Sequence, residues 1–490
     1  MDSSSPLGIL KFLAPQIPTL ANAAVWHTLG MSETSSKWDL RTTITVQVLR
    51  GLMGGSGRKP SPIGKVQATT LKDPGLKGKI WVAKATVQAP KPGDESLTTA
   101  VFKAIDEMKL SDVAYTKPSL VDTEVEWTGF RADAAKDEPL PDVSEQEKYE
   151  RMLAEPARTS ETTILYFHGG AYYLCDPYTH RAVCSRLAKE SHGKVCSVRY
   201  RLAPQAAFPA QLLDGLMMYL SLIYPPPGSM HDAIPARSIV LGGDSAGGNL
   251  SFALMQLLLQ LHRTSADPTV RFHGKDVKVP LPAGATANSG WFDICRAMPS
   301  IKGNAKYDYL PPVTEKDVLS SFPHDDIWPA KPPRGDLFCE LGMLDHPLVS
   351  PVAADSWKHA PPLWLCTGEE MLSDEDLIVA SRAAQQGVTV QLEQYEAMPH
   401  CFAMLIPSLA TADRCMRSWG DFCRRCVEDP QSLKTNGTFV HTKSGKEDTI
   451  DVSEASPITL GQAKDYMRNA KELRLKGSEK EGKTMPKPSL

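Results

Sequence analysis

Ser245 lies between two glycines in the pentapeptide Gly243-Asp244-Ser245-Ala246-Gly247, a spacing that can present a reactive hydroxyl group. The pentapeptide follows the apolar run Ser238 to Leu241 and precedes a leucine-rich segment, which predicts a strand, a sharp turn and a helix. Glycines two residues either side of the turn avoid collisions with the turning residue, whose backbone is held in a strained conformation. The pattern predicts a nucleophilic serine. Its alternatives are a phosphate-binding turn and a turn that only packs a helix on a sheet.

His168, Gly169 and Gly170 directly follow another predicted strand, Thr163 to Phe167. The oxygen of a carbonyl under attack becomes negative, and backbone N–H groups at glycines can approach and stabilise it because no side chain intervenes. We therefore expect the N–H groups of Gly169, Gly170 and Ala246 to form an oxyanion hole, while His168 orders the loop. The alternative is an ordinary loop after a strand.

His400 is the histidine best placed to activate the serine hydroxyl. It follows the predicted strand Val388 to Tyr395 across a short turn. The carboxyl ends of parallel strands meet at one edge of a sheet, so this imidazole is expected near the serine. His346 and His359 lie in the polar approach to the preceding strand and are predicted to be surface residues.

The third member of such a site is a carboxylate, and several follow the apolar run Pro362 to Cys366. Ser373 has an acidic residue three positions later, as in a capping box, so Asp374 to Asp376 are explained as the first turn of a helix. Glu369 and Glu370 precede this cap and have no such structural explanation. The residues alone leave open which of the two is the acid.

The overall composition indicates a globular protein with a large core, since 42% of the 490 residues are hydrophobic and 23% are charged. The formal charge of −3 argues against a protein that binds nucleic acid. Ten cysteines are too few for a disulfide scaffold. Cys423 and Cys426 form a C-x-x-C in a stretch with helical periodicity, which predicts two cysteines on adjacent helix turns rather than a metal or redox site.

Three regions follow from the pattern along the chain. Residues 1–150 are expected to contribute helices and leading strands, and the family resemblance given below implies that these helices form part of a cap. Residues 151–430 alternate short apolar runs with helical stretches, which predicts an α/β catalytic domain, and residues 296–344 break this rhythm as an insertion rich in proline and aromatic residues. Residues 431–490 are polar and lysine-rich, and we expect a mobile tail with one amphipathic helix near residues 460–475.

The N-terminal segment has an acidic residue at position 2, where a signal peptide would be basic, and Lys11, Pro15 and Pro18 interrupt its apolar stretch. We therefore expect neither a signal peptide nor a membrane span, and an intracellular, cytoplasmic location. One interpretation is a pair of apolar helices packed on the body of the protein as part of a cap. The alternative is a peripheral contact with a membrane such as the endoplasmic reticulum.

Six ordered motifs within residues 150–430 resemble the hormone-sensitive-lipase family of α/β-hydrolases, and the chain is most similar to its fungal esterase and steryl acetyl hydrolase-like members. The motifs are HGGAYY (168–173), YRLAP (200–204), FPA (208–210), GDSAGGN (243–249), HPLVSP (346–351) and MPHCF (398–402). The resemblance implies an eight-stranded, mostly parallel sheet with helices on both faces. It also implies a helical cap formed by the N-terminal region and an insertion before the strand that precedes the acid.

The resemblance also selects an acid. In the family it is usually the first Asp of a D-P-L-x-D segment, which Glu370 to Asp374 match here with Glu in place of Asp and Met371 in place of proline. Asp374 is the alternative acid. The third glycine of the family's oxyanion loop is Ala171 in this chain. The family uses neither a metal ion nor an organic cofactor, so we expect none.

These features together predict a serine hydrolase in which Ser245, His400 and Glu370 form the catalytic triad. The expected substrate is a small apolar ester with a short acyl group, acetyl being the simplest, on an alcohol such as a sterol or another lipid-like metabolite. An amidase of the same mechanism is one alternative. Another is a non-catalytic small-molecule-binding protein, because plant gibberellin receptors resemble this family yet have lost the histidine. The presence of His400 argues against the second alternative, and the oligomeric state is left open.

Overall fold

Buried apolar runs form a ten-stranded sheet and a separate hairpin in the residues that the computed structural model describes, 14–53, 61–91, 96–311 and 322–480. In chain order the strands are β1 (Ile80–Val87), β2 (Thr123–Phe130), β3 (Thr163–Phe167), β4 (Lys194–Val198), β5 (Ile239–Gly243), β6 (Thr269–Phe272), β7 (Lys275–Lys278), β8 (Gly284–Asn288), β9 (Leu363–Gly368), β10 (Val390–Tyr395), β11 (Asn436–Val440) and β12 (Glu447–Ile450). The main sheet has the order β1-β2-β4-β3-β5-β8-β9-β10-β11-β12, while β6 pairs with β7. Pairs from β4 through β11 are parallel, and β1–β2, β2–β4 and β11–β12 are antiparallel.

Helices cover both faces of this sheet. In chain order they are α1 (Ile17–Thr28), α2 (Leu40–Leu52), α3 (Ile63–Thr70), α4 (Ser96–Met108), α5 (Glu145–Leu153), α6 (Pro177–Glu190), α7 (Ala210–Ile223), α8 (Ala246–Thr264), α9 (Ser300–Gly303), α10 (Ser373–Gln385), α11 (Phe402–Leu405), α12 (Ala410–Glu428) and α13 (Leu460–Lys480). Successive side chains of a strand point to opposite faces. Ile164 and Tyr166 therefore join the core beneath α6 and α12, whereas Leu165 and Phe167 join the core beneath α7 and α8.

The prediction of an α/β fold with a mostly parallel sheet is confirmed, but the sheet has ten strands rather than the expected eight. The additional strands β11 and β12 come from the segment that we expected to be a mobile tail. Isolated apolar residues anchor this segment: Val440 of β11 is buried, and α13 buries Ala463 and Met467. A few apolar residues in a mostly polar sequence were therefore enough to attach it. Residues 481–490 of the predicted tail lie outside the described residues.

The N-terminal helices lie against the loops that carry the candidate site. The indole Nε1 of the buried Trp38 donates a hydrogen bond of 2.6 Å to the carbonyl of Ala397. Arg50 of α2 donates to the carbonyls of Asp308 and Lys306, each at 2.8 Å, and so contacts the predicted insertion. Helix α1 buries none of its residues. Across the described ranges, no helix combines the length and apolar character needed to cross a membrane. Residues 1–13 and 312–321, on which parts of the cap prediction fall, lie outside them.

Candidate active site

Ser245 occupies a sharp turn between β5 and α8, and its backbone φ of 52° lies in the left-handed region that non-glycine residues rarely adopt. Close backbone contacts explain the flanking glycines. A Cβ atom on Gly243 would lie 2.4 Å from the carbonyl of Gly247, and one on Gly247 would lie 1.8 Å from the carbonyl oxygen of Phe167. Only glycine fits at both positions. The turn therefore holds the serine at the carboxyl end of β5, where α8 begins at Ala246.

A chain of hydrogen bonds connects Ser245, His400 and Glu370. The hydroxyl Oγ of Ser245 lies 2.9 Å from Nε2 of His400, and Nδ1 of His400 is hydrogen-bonded to Oε2 of Glu370. Glu370 is fully buried and His400 is nearly so. The two residues follow β9 and β10, which pair in register at Gly368 and Tyr395, so the parallel sheet brings their loops together. In this arrangement an imidazole can accept a serine proton while a carboxylate stabilises the resulting cation.

Several donors hold the Glu370 carboxylate in place. Its Oε1 accepts hydrogen bonds from the Ser289 hydroxyl at 2.5 Å, from the Thr367 hydroxyl at 3.2 Å and from the Gly368 N–H at 3.2 Å. The Ser289 hydroxyl also accepts from the N–H of Cys401, at 3.0 Å. Sequence reasoning missed Ser289 because it follows β8, a strand of small residues that has no β-branched pattern beyond one threonine. The signal available was the Asn-Ser-Gly turn after that run.

The other acidic residues have different partners. Oδ2 of Asp374 accepts from the N–H of Ser300 at 2.8 Å, and Oε2 of Glu369 accepts from the N–H of Ala397 at 2.8 Å. The expected cap at Ser373 is wrong: the helix begins at Ser373 itself, whose hydroxyl accepts from Asn304 at 3.0 Å, and the residue before it makes no side-chain cap. Asp374 thus holds the insertion against the acid loop rather than contacting His400.

His400 lies in a strongly charged buried environment. Burial by itself lowers the pKa of His400, but the adjacent Cys401 and the Glu370 carboxylate outweigh it and raise the pKa well above the ordinary histidine value. Burial, together with Glu370, raises the pKa of the Asp308 carboxyl. Asp308 accepts from the N–H of Met371 at 2.8 Å and from the N–H of His400 at 3.4 Å. This residue of the insertion, which no sequence motif indicated, therefore bridges the acid and histidine loops.

Asp244 ties the glycine loop to the serine turn. Its Oδ1 accepts from the hydroxyl of Tyr166 at 2.6 Å and from the N–H of Gly169 at 3.1 Å, and His180 lies 3.3 Å away. Burial opposes ionisation of Asp244, but His180 and Tyr166 outweigh it and lower the pKa of the carboxyl. The sequence analysis included Asp244 only as part of the serine motif and assigned no role to His180.

The oxyanion prediction needs one correction. The N–H of Gly169 is already donated to Asp244, so it does not face an incoming carbonyl. The N–H groups of Gly170, Ala171 and Ala246 have no acceptor among the described residues. Ala171, whose φ is 52°, lines the same cavity as Ser245. Ala171 therefore joins Gly170 and Ala246 as a residue whose N–H group has no acceptor in the described part of the chain, whereas Gly169 does not.

His168 and His346 are also buried. His168 stacks on Tyr200 with ring centroids 4.4 Å apart, its Nδ1 lies 2.7 Å from the carbonyl oxygen of Gly169, and burial lowers its pKa to about 3. His346 was predicted to lie at the surface, and this is wrong: its Nε2 lies 3.0 Å from the carbonyl oxygen of Ile105. The polar sequence around His346 concealed a buried turn.

Ser245 and His400 open onto a cavity of about 150 Å³. Its described lining is mainly apolar and comes from the N-terminal region, the glycine loop, the insertion and α13. The lining residues are Met53, Ala171, Tyr173, Ser245, Trp291, Ile294, Arg296, Leu310, Pro311, Phe322, Asp336, Leu337, Phe338, Leu372, His400 and Arg474. A cavity of this kind suits an apolar substrate with few polar groups.

Comparison with known proteins identifies the same architecture. Residues 164–404 match the model of a family described as having the alpha/beta hydrolase fold. The chain is 28% identical to an acetyl-hydrolase of Streptomyces hygroscopicus over 55% of this chain and 77% of that protein. It is 24% identical to neutral cholesterol ester hydrolase 1 of Rattus norvegicus over 58% of this chain and 74% of that protein. The chain also aligns with a crystal structure described as a hormone-sensitive lipase from a metagenome library, over 80% of this chain and 99% of that one, with 23% identity and a TM-score of 0.48.

Residues 164–404 of the chain belong to the α/β-hydrolase family, as the ordered motifs predicted. The protein is a carboxylic-ester hydrolase. The alternative of a non-catalytic binding protein on the same scaffold is therefore set aside.

Proposed function

We propose that the protein is a serine esterase that removes a short acyl group, acetyl in the simplest case, from an apolar alcohol through an acyl-enzyme. The observation that carries this proposal is the hydrogen-bonded chain from Ser245 through His400 to the buried Glu370 at the wall of an apolar cavity. The strained backbone of Ser245 keeps its hydroxyl accessible to a carbonyl carbon.

The first half of the reaction forms the acyl-enzyme. Ser245 Oγ attacks the acyl carbon while Nε2 of His400 takes the hydroxyl proton, and Glu370 stabilises the imidazolium that results. The tetrahedral intermediate collapses as His400 returns the proton to the departing alcohol oxygen. In the second half, His400 takes a proton from a water molecule whose oxygen attacks the acyl carbon. The second tetrahedral intermediate collapses as His400 gives this proton to Oγ of Ser245, which breaks the bond to the acyl group and releases the acid.

The negative oxygen of both tetrahedral intermediates needs fixed donors. We assign this role to the N–H groups of Gly170, Ala171 and Ala246, which make no other hydrogen bond to the described residues. Gly169 instead anchors the loop to Asp244. The N-terminus of α8, which starts at Ala246, adds its partial positive charge at the same point.

Two considerations support the substrate class. The cavity lining is mostly apolar, which favours an apolar ester over a strongly polar one. The names of two relatives, an acetyl-hydrolase and a cholesterol ester hydrolase, agree with a short acyl group in one case and an apolar alcohol in the other.

Ser245→Ala tests the proposal, with hydrolysis measured on acetyl, butyryl and long-chain esters of one alcohol. We expect the wild-type kcat/KM to be highest for acetyl, and the variant to remain folded and lose activity by about 10⁴-fold. Turnover within tenfold of wild type would remove Ser245 from the mechanism. A preference for long chains would keep the mechanism and reject the short acyl group.

A further inference from the structure

Three charged side chains line the otherwise mainly apolar cavity at Ser245: Arg296, Asp336 and Arg474. Two of them have opposite charges and lie together, since Oδ2 of Asp336 is 3.6 Å from Nη1 of Arg474. Arg474 also donates to the carbonyl of Cys295 at 2.8 Å. The remaining charge in this lining is the guanidinium of Arg296.

Arg296 forms no ion pair with any carboxylate in the described part of the chain. Its Nη2 donates to the carbonyl of Pro311 at 2.7 Å, which leaves most of its five N–H groups without an acceptor among the residues that the structure describes. Burial lowers the pKa of Arg296, and the neighbouring carboxylates of Asp308 and Glu375 offset this only in part. An arginine stays charged in proteins, so an anion that enters the cavity would stabilise the guanidinium in this position.

The backbone of this segment keeps Arg296 at the cavity wall. Its φ of 52° is unfavourable for a residue with a long side chain. The fully buried Asp293 enforces it, because its carboxylate accepts from the N–H groups of Cys295 at 2.9 Å and Ala297 at 2.6 Å, and its carbonyl accepts from Arg296 at 3.0 Å. A strained backbone that the surrounding structure holds in this way is common at ligand-binding positions.

We propose that Arg296 is a specificity-determining residue that binds a carboxylate group on the substrate, so that the enzyme prefers apolar esters carrying one acidic group. The proposal rests on the esterase function proposed for Ser245. A guanidinium binds a carboxylate through two parallel hydrogen bonds, and an apolar surrounding strengthens them. The apolar lining takes the rest of such a substrate. Arg474, which also lines this cavity, belongs to α13, and α13 comes after residues 164–404 of the family match. The cavity wall is therefore built partly by the C-terminal segment.

Hydrolysis of two matched acetate esters tests the proposal on the full-length protein. 4-Acetoxybenzoate carries a carboxylate and 4-acetoxybenzamide carries a neutral amide of almost the same size. We expect wild type to have the higher kcat/KM for the benzoate, and Arg296→Met to lower the benzoate-to-benzamide ratio by at least about 10-fold, as for loss of a charge-assisted hydrogen bond. Arg296→Lys should restore part of the ratio. Arg237→Met, at an exposed position away from the cavity, is the control and should leave the ratio and both rates unchanged.

Binding to a Ser245→Ala background separates this inference from the proposed reaction. Titration calorimetry with 4-acetamidobenzoate and 4-acetamidobenzamide measures the preference for a carboxylate without any turnover. We expect the benzoate to bind about 10-fold more tightly, and Arg296→Met to remove this difference. Equal affinity of the two compounds for the parent, or an equal loss of both in Arg296→Met, would overturn the proposal and make Arg296 a counter-ion for the buried acids. If Ser245→Ala kept its esterase activity while the preference for the carboxylate ligand remained, only the reaction proposed for Ser245 would be overturned.

Discussion

Replacing Glu370 with glutamine changes one oxygen of a fully buried side chain into an amide nitrogen. Oε1 accepts from three donors, Ser289, Thr367 and Gly368, so the glutamine carbonyl must occupy that side. The amide NH₂ group then faces Nδ1 of His400, where the carboxylate stood before. Because an amide nitrogen only donates, Nδ1 becomes an acceptor and the ring proton moves to Nε2.

This tautomer cannot accept the proton of Ser245, since Nε2 already carries one. We therefore expect Glu370→Gln to keep the fold and to reduce kcat by about 10²- to 10⁴-fold, the range seen when the acid of such a triad is made an amide. Asp374→Asn is the matched control. Its side-chain oxygen can still accept from Ser300, so it should cost little activity and about 0.5 kcal/mol of stability.

The pH dependence of kcat/KM gives a second readout. His400 must be neutral to act as a base, so activity rises as the pH rises through its pKa. The pKa of His400 is held above the ordinary value, with Glu370 among the causes. Glu370→Gln should therefore move the acidic limb to lower pH, and Asp374→Asn should leave it in place. An inactive Asp374→Asn beside an active Glu370→Gln would refute the assignment of the acid, although Ser245 and His400 would keep their roles.

Two further predictions concern the rest of the fold. Deleting residues 1–45 removes the buried Trp38, which contacts the loop before His400, so we expect insoluble or inactive protein. If the deletion instead gave soluble protein with full turnover that no longer sediments with a membrane fraction, the segment would be a membrane contact. Burial raises the pKa of Glu375 well above its ordinary value, so this group loses stabilising free energy as the pH rises above the unfolded-state pKa of about 4.3. The melting temperature of Glu375→Gln relative to wild type should therefore increase between pH 4.5 and 8, and a constant difference would contradict this reasoning.

The sequence was informative where one local pattern carries the structure. Strand β3 and the long helix after Ser245 match their predicted positions closely, because dense apolar runs have few alternative structures. The serine turn was predictable because its glycines are required by contacts within the turn and with the adjacent strand. The helix near residues 460–475 was also predicted, although its attachment to the body was not.

The parts that the sequence did not reveal depend on contacts between distant segments. Gly169 looked like an oxyanion donor because nothing local indicates that Asp244 takes its N–H. Ser373 looked like a helix cap, but its hydroxyl is used by Asn304 of the insertion. Asp308 and Arg296 lie in an insertion without regular periodicity, so only the three-dimensional structure places them beside the site.

Covalent labelling tests the central claim, that Ser245 is the nucleophile, most directly. A fluorophosphonate probe reacts with a serine only where a base activates its hydroxyl. Intact mass spectrometry of the labelled wild-type protein should show one added phosphonyl group, and peptide mapping should place it on Ser245, with no labelling of Ser245→Ala. A label on another residue, or equal labelling of the variant, would contradict the account.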